Sequence, residues 1–137
     1  MNSKQIKAEG MKKTKEWFQS LGVNLYKPIG YNPVVDMIAE FNGKAQRIRV
    51  KATEKSKDGI VRFDMNSALR HSGTKPTDVR KEIDYYALYS IDRNKLYLID
   101  VHKAPTTDIT IRFENSKKNS KKMHFEKDVL VEKVIKK

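Results

Sequence analysis

The feature that most constrains this chain is a predicted β-hairpin over residues 34–51, centred on the dipeptide formed by Asn42 and Gly43. Runs of alternating apolar and polar residues flank this dipeptide. Asn and Gly both tolerate the positive φ that the two central residues of a type I′ turn require. If these two residues form the loop, Phe41 pairs with Lys44, and the register of every other pair follows.

That register divides the hairpin into an apolar face and a charged face, because side chains alternate across a strand. The charged face places Asp36 opposite Arg49, with Lys51 on the diagonal. One turn assignment therefore sorts apolar from charged residues on both strands at once, which supports the register. The apolar face comprises six side chains: Val35, Met37, Ala39, Gln46, Ile48 and Val50.

Composition bounds the class of protein. With 137 residues, 38% of them hydrophobic, we expect one domain over residues 1–137 with a sizeable core. The chain has no cysteine, which excludes disulfides, a thiolate nucleophile and Cys-based zinc sites. No signal peptide is recognised, and no apolar run approaches the roughly 18 residues of a membrane helix, so we expect a soluble cytoplasmic protein.

The charge balance favours a polyanionic partner. Lys and Arg number 29 against 17 Asp and Glu, a formal net charge of +12. A surplus of this size is typical of proteins that bind nucleic acid, although a Lys-rich solvated surface has the same composition.

The first segment is predicted to be a helix over residues 3–21. Ser3 is the expected N-cap, Gly22 the residue just past the C-terminus, and Trp17 a core side chain. Glu9 lies roughly 60° from the edge of the apolar stripe, at the border of buried and exposed surface. Spacing alone favours a solvated glutamate at that position.

The rest of the chain is predicted to be mainly β-structure. The continuous apolar run at 83–91 indicates a central strand covered on both faces. Residues 66–77 are expected to be irregular, and residues 125–137 to form a short helix or a closing strand. The further predicted strands are 23–26, 60–65, 83–91, 95–101 and 108–114.

Basic and polar positions in the hairpin and in three polar segments are candidates for contact with a phosphate backbone. Loops held by a rigid scaffold commonly carry such contacts, and a plain connecting role is the alternative. The candidates are Lys27, Tyr31, Asn32, Arg47, Arg70, His71, Lys75, Lys117, Lys118, Lys121 and Lys122.

Taken in order, several short motifs resemble the PD-(D/E)xK nuclease superfamily, most nearly its small homing-endonuclease-like group. That group has a Glu on an early helix, a Leu-x-x-x-Gly, a Pro-x-Gly, a hydrophobic residue before Asp, and Gln-x-Lys-Thr or similar. The matching stretches lie within about residues 5–100, and their order and spacing carry the resemblance. They are Glu9, Leu21-Gly22, Pro28-Ile29-Gly30, Val35-Asp36 and Arg49-Val50-Lys51-Ala52-Thr53.

The resemblance implies an α/β (α+β) fold of the restriction-endonuclease type, a mixed β-sheet core flanked by helices. It also implies metal-dependent, site-specific cleavage of double-stranded DNA by a prokaryotic or phage-like enzyme. Asp36 would be the main metal ligand, Glu9 a second carboxylate, the Val50 carbonyl a further ligand, and Lys51 the catalytic ammonium. The cofactor would be Mg²⁺, with Mn²⁺ as a substitute. Without the resemblance, Asp36 and Lys51 describe a cross-strand ion pair on a sheet surface.

Arg49 departs from the family pattern, which has an acid or Gln at that position, and Arg offers only donors. Three accounts remain open. Arg49 contacts a phosphate as part of the catalytic set, while Asp36 and Glu9 hold one metal. Alternatively, Glu40 supplies a further carboxylate. In the third account the site is weakened or inactive, which leaves a DNA-binding protein.

Cleavage of both strands of a DNA duplex requires two cuts, so one small domain with one site is expected to act as a homodimer or homotetramer. A Holliday-junction resolvase of the same superfamily is the closest alternative enzyme. A non-catalytic DNA-binding module is the alternative from another class. An RNA-binding protein is a third, for which the sequence shows no stacking motif.

Overall fold

The computed structural model describes residues 1–30, 34–65, 69–72, 75–105, 107–114 and 124–136, with residues 69–72 and 75–78 described as backbone. Within these residues, 3₁₀ turns lie at Val79–Lys81 and Val101–Lys103. The helices and strands, in chain order, are α1 (Ser3–Ser20), β1 (Asn24–Tyr26), β2 (Met37–Phe41), β3 (Lys44–Thr53), β4 (Ile60–Phe63), β5 (Leu69–Ser72), β6 (Lys75–Asp78), β7 (Tyr85–Ser90), β8 (Lys95–Asp100), β9 (Ile109–Arg112), β10 (His124–Phe125), α2 (Glu126–Val129) and α3 (Val131–Val134).

The main sheet is mixed and has five strands in the order β1-β2-β3-β7-β8. Strands β3 and β7 run parallel, and the other neighbours are antiparallel. A three-stranded sheet, in the order β10-β9-β4, and the β5–β6 hairpin accompany it. The mixed sheet with flanking helices confirms the predicted fold class, and β7 has a neighbour on each side, as predicted for residues 83–91.

The β2–β3 hairpin has the predicted turn and, from Met37 with Ile48 to Phe41 with Lys44, the predicted register. Asn42 and Gly43 have φ of 54° and 77°, and Met37 pairs with Ile48. All six side chains of the predicted apolar face are buried. Val35 nevertheless packs with the core on the opposite side of the sheet, because β2 begins only at Met37 and strand alternation does not extend back to it.

Alternate side chains of β7 enter two hydrophobic clusters on opposite faces of the main sheet. On the face that α1 covers, Ala87 and Tyr89 are buried in the same cluster as Phe18. On the other face, Tyr86 and Leu88 pack with the apolar residues of β4 and β9. A strand buried on both faces needs an almost continuous apolar run, which is the pattern that the sequence shows at 83–91.

Helix α1 begins at Ser3 itself, so its N-cap lies one residue earlier and the assignment of Ser3 as N-cap is wrong. Asn2 is the N-cap: its side chain accepts a hydrogen bond from the Gln5 N–H, and the Gln5 side chain accepts one from the Asn2 N–H, each at 2.9 Å. This reciprocal capping box satisfies two helix-end donors. Gly22 follows the helix with φ of 75°, as predicted.

Trp17 is only half-buried, so its prediction as a core residue is wrong. Phe18 takes the core position, and the Trp17 indole N–H donates to Glu132 Oε1 at 2.7 Å at the edge of the cluster. An edge position lets the apolar ring pack while its N–H finds a partner. The C-terminal segment forms the two short helices α2 and α3 after the short strand β10.

Residues 69–72 and 75–78 form regular structure, which corrects the prediction of an irregular segment at 66–77 wherever that segment is described. Strands β5 and β6 form an antiparallel hairpin in which Leu69 pairs with Asp78 and Ser72 with Lys75. The segment lacks the apolar alternation that identifies a half-buried strand, but backbone pairing across a hairpin does not require it. None of the helices in the described ranges is long and apolar enough to cross a membrane.

Candidate functional site

Asp36 lies where the chain enters β2 and is fixed against β3. Its backbone N–H donates to the Ile48 carbonyl at 2.8 Å, and its carboxylate Oδ2 accepts the Val50 N–H at 2.7 Å. The carboxylate thus satisfies a strand N–H in place of a backbone carbonyl. These two contacts set the position and the orientation of Asp36 relative to β3.

Lys7 of α1 completes this arrangement. Its Nζ donates to Asp36 Oδ2 at 2.7 Å and to the Val50 carbonyl at 2.5 Å. One ammonium is therefore held between the two oxygen groups to which the family resemblance assigns a metal. Lys7 was not among the site residues predicted from the sequence. The available signal was its position 60° around the helix from Gly10, the residue that faces β3.

Glu9 lies on the other flank of α1, about 200° around the helix from Lys7. Its closest described electrostatic effect is on Tyr89 of β7, where burial and then the charge of Glu9 raise the pKa of the hydroxyl. The α1 residue that contacts Asp36 is instead Lys7, and Met11 lines a cleft that also contains Asp36. The structure brings Asp36 and Val50 together with Lys7, whereas Glu9 lies on the opposite flank of α1, where its charge acts on Tyr89.

Lys51 is half-buried next to this group of charges. Burial and the neighbouring charges of Arg49 and Lys7 together lower its pKa to about 8, while the charges of Asp64 and Asp36 oppose the shift. Asp64 follows β4 and was missed by the sequence analysis, because no local pattern connects it with the β2–β3 hairpin. Burial also lowers the pKa of Lys7, although Asp36 opposes this shift.

Arg49 is half-buried on the same face of β3. Its Nη1 donates to the Val34 carbonyl at 3.3 Å, and Asp36 forms its ion pair with Lys7. Glu40 is exposed and accepts a hydrogen bond from the Tyr26 hydroxyl. Glu40 lies four residues from Asp36, which is about 13 Å along the strand at about 3.3 Å per residue. The structure therefore does not support Glu40 as a ligand of a metal at Asp36.

The candidate phosphate contacts differ in what the structure says about them. Lys27 is exposed and lines the cleft that contains Asp36. Arg47 is held in a two-point ion pair with Asp84, with Nε–Oδ2 at 3.1 Å and Nη2–Oδ1 at 3.2 Å. For Arg70, His71 and Lys75 the structure describes only the backbone. The remaining candidates lie outside the described residues: Tyr31, Asn32, Lys117, Lys118, Lys121 and Lys122.

The donor set fits a hard divalent cation that keeps most of its water. Asp36 Oδ2 and the Val50 carbonyl converge on one cationic position, which is the Lys7 ammonium. Mg²⁺ prefers oxygen ligands and is commonly held by one or two carboxylates plus water. In the ranges that the structure covers, no group of three or more His, Cys, Asp or Glu residues could hold a metal.

Comparisons with known proteins bear on the family and the fold of the chain. The family model described as PD-(D/E)XK endonuclease matches residues 1–128. Among solved structures, the chain is similar to a bacterial homing endonuclease, I-Ssp6803I, with a TM-score of 0.63 and 15% sequence identity over 88% of this chain and 83% of that chain. A search of curated proteins gives no significant match. At 15% identity the structural similarity establishes only the fold. The match to the family model establishes the family.

Proposed function

This chain belongs to the PD-(D/E)XK endonuclease family, and on that premise we propose that it is a metal-dependent, site-specific endonuclease that hydrolyses phosphodiester bonds in double-stranded DNA. The observation that carries the proposal is the convergence of the Asp36 carboxylate and the Val50 carbonyl on one cation, with Lys51 beside them. The structural likeness to a homing endonuclease supports specificity for a target site.

In this proposal Asp36 and Val50 hold the metal, which is Mg²⁺ with Mn²⁺ as a substitute. Such an ion supplies Lewis acidity and an activated water. Lys51 has a pKa of about 8 and therefore exchanges a proton readily near neutral pH. Its neutral amine can accept a proton from the attacking water, and its ammonium can stabilise negative charge that develops on the phosphate.

Arg49 fits the role of a phosphate contact better than that of a ligand. A guanidinium has five donors and no acceptor, so it cannot bind a metal but matches the geometry of a phosphate. The family pattern also assigns Glu9 to the metal. Glu9 lies on the flank of α1 opposite Lys7, so it could bind a metal at Asp36 only if α1 rotated. We therefore assign the metal to Asp36 and Val50.

The test is a plasmid-nicking assay with Mg²⁺, Mn²⁺ or EDTA on a library of target sites. It compares the unmodified chain with Asp36→Asn and with Glu16→Gln, which removes an exposed carboxylate on α1. Asp36→Asn retains an oxygen that can accept the Val50 N–H, so the fold is expected to persist. We expect metal-dependent nicks to fall at least about 100-fold in Asp36→Asn and to be unchanged in Glu16→Gln.

Cleavage by Asp36→Asn at the unmodified rate would remove the site assignment. A four-way DNA junction as a second substrate separates an endonuclease that acts on linear duplex from a junction resolvase. We also propose a homodimer or homotetramer, because one site cuts one strand. A monomer by light scattering during cleavage of both strands would contradict that part of the proposal.

A second candidate function is a DNA-binding protein that retains the nuclease scaffold without cleavage. The observation that favours it is the charge at the site, where Lys7, Arg49 and Lys51 face the carboxylates of Asp36 and Asp64. Cationic groups bind phosphate without a metal. DNA binding in EDTA, with no nicks in either metal on any tightly bound target, would support this candidate over the nuclease.

A further inference from the structure

We propose that Lys7 is a built-in competitor of the divalent metal: its ammonium holds the metal's position between Asp36 and the Val50 carbonyl, and the metal binds only by displacing it. This inference rests on the proposed function, because it takes these two groups as the metal ligands. It adds a residue that the family pattern does not assign and a condition on metal loading.

The geometry makes the two cations mutually exclusive. Lys7 Nζ lies 2.7 Å from Asp36 Oδ2 and 2.5 Å from the Val50 carbonyl oxygen. A Mg²⁺ ion that shared both oxygens would lie about 2.1 Å from each, in the space that the ammonium fills. Overlap and like-charge repulsion both prevent joint occupancy, so each cation binds at the expense of the other.

The close packing of α1 on β3 makes Lys7 an effective competitor of the metal. Helix α1 lies so close to β3 that a Cβ on Gly10 would be 2.8 Å from the Cβ of Ala52. The backbone of Lys7 is therefore held beside Asp36, and its ammonium is present at a high effective concentration. A dissolved metal ion must compete with a cation that never diffuses away.

Displacement of Lys7 is nevertheless feasible. Its side chain is 40% exposed, against 15% for Asp36, so the ammonium has a route to solvent while the carboxylate stays in place. Once displaced, the ammonium remains at the mouth of the site. A DNA phosphate that arrives there offers it a new partner, so metal and DNA are expected to favour each other's binding.

The first test measures metal binding without cleavage. Free Mn²⁺ is followed by its electron paramagnetic resonance signal during titration of the DNA-free full chain. The matched variants are Lys7→Gln and Lys12→Gln, which both remove one lysine charge from α1. We expect Lys7→Gln to bind Mn²⁺ about tenfold more tightly than the unmodified chain, and Lys12→Gln to bind like the unmodified chain.

Two further measurements locate the effect. Asp36→Asn combined with Lys7→Gln should lose the tightened site. Limited amine acetylation read by mass spectrometry should show that Mn²⁺ increases the modification of Lys7 but not of Lys12. Circular dichroism melts of every variant establish that the fold is retained, and Lys7→Met provides a second neutral variant if Lys7→Gln does not fold.

Equal or weaker Mn²⁺ binding by Lys7→Gln and Lys7→Met would overturn the proposal. If metal-dependent nicking persisted in that case, the proposed function would stand and only the competition would fail. If the unmodified chain and Lys7→Gln neither bound Mn²⁺ nor nicked DNA, both would fail together.

Discussion

Gly10 is the residue through which α1 touches the strand that carries the site. A Cβ at this position would meet the Ala52 Cβ at 2.8 Å and the Val50 Cγ1 at 3.4 Å. The first distance is shorter than two carbon atoms can tolerate, and a strand Cβ is not free to move aside. The absence of a side chain at Gly10 therefore sets the depth of α1 and, with it, the reach of Lys7.

We predict that Gly10→Ala lowers the free energy of unfolding by about 1–2 kcal/mol, because overpacking outweighs the gain in helix propensity of up to about 1 kcal/mol. Urea denaturation measures the change. The control is the double variant with Ala52→Gly, which reopens the space. It should be more stable than the sum of the two single effects, whereas a Gly10→Ala chain more stable than the unmodified one would contradict the packing argument.

At the level of elements, the parallel pairing of β3 with β7 begins next to a group of reciprocal hydrogen bonds between Arg47 and Asp84. The Asp84 N–H donates to the Arg47 carbonyl, and the Arg47 N–H donates to Asp84 Oδ2, both at 2.8 Å. The guanidinium adds two further bonds to the same carboxylate. Four hydrogen bonds at one end fix the register of two strands that are distant in sequence.

We predict that Asp84→Asn costs about 1–2 kcal/mol of stability at pH 7, the order expected for a charge-assisted contact that is partly screened by solvent. Burial opposes the shift, but the bonds from Arg47 hold the pKa of Asp84 below its usual 3.8. A carboxyl whose pKa is lowered by folding stabilises above its unfolded pKa. The difference between the unmodified chain and Asp84→Asn should therefore shrink as the pH falls below about 4.

Urea denaturation between pH 7 and pH 3 tests this prediction. Asp108→Asn is the matched control, because Asp108 forms an exposed ion pair with Arg62 at 3.7 Å. That variant should change stability by less than about 0.5 kcal/mol at every pH. A difference for Asp84→Asn that did not depend on pH would show that the charge of Asp84 is not what stabilises the junction.

At the scale of the whole molecule, the C-terminal segment closes back on the β2–β3 turn. Asn42, which forms that turn, donates through Nδ2 to the Val134 carbonyl at 3.0 Å and accepts the Lys136 N–H through Oδ1 at 2.6 Å. On the other side of the sheet, Glu126 Oε1 accepts bonds from Arg93 at 2.6 Å and from Tyr97 at 2.8 Å. The segment thus joins the first hairpin to the last strands of the main sheet.

We predict that Asn42→Gly detaches the C-terminal segment while it preserves the hairpin. Two glycines suit a type I′ turn, but the two hydrogen bonds to Val134 and Lys136 are lost. Backbone amides of residues 131–136 should exchange with deuterium faster, and the unfolding free energy should fall by about 1–2 kcal/mol. Unchanged exchange in this segment, with the amides of β2 and β3 still protected, would contradict the role of Asn42 as its anchor.

The two hydrophobic clusters share β7 and β8, because alternate side chains of these strands enter opposite faces. Unfolding of either cluster would disrupt β7 and β8, whose other side chains form part of the second cluster. We therefore propose that residues 1–137 form one cooperative domain. Urea transitions followed by fluorescence of the single tryptophan, Trp17, and by far-ultraviolet circular dichroism should coincide. Two separated transitions would show that the halves fold independently.

Prediction from sequence succeeded where structure is decided locally. The β2–β3 register follows from Asn42 and Gly43 together with an alternation of period two, and both signals lie within 18 consecutive residues. It failed for Ser3 and Trp17, because the neighbours Asn2 and Phe18 had equally good local patterns and took those roles.

The sequence by itself determined the hairpin and the family, and hence the positions of Asp36, Val50 and Lys51, because turn chemistry and strand alternation act over neighbouring residues. Only the tertiary structure decided which flank of α1 meets them. Each helical residue advances by about 100°, so Lys7 and Glu9 lie on opposite flanks of α1, and the rotation of the helix about its axis decides which of them faces Asp36. The contact of Gly10 with β3 fixes that rotation, and it places Lys7 at Asp36 and Glu9 on the opposite flank of α1.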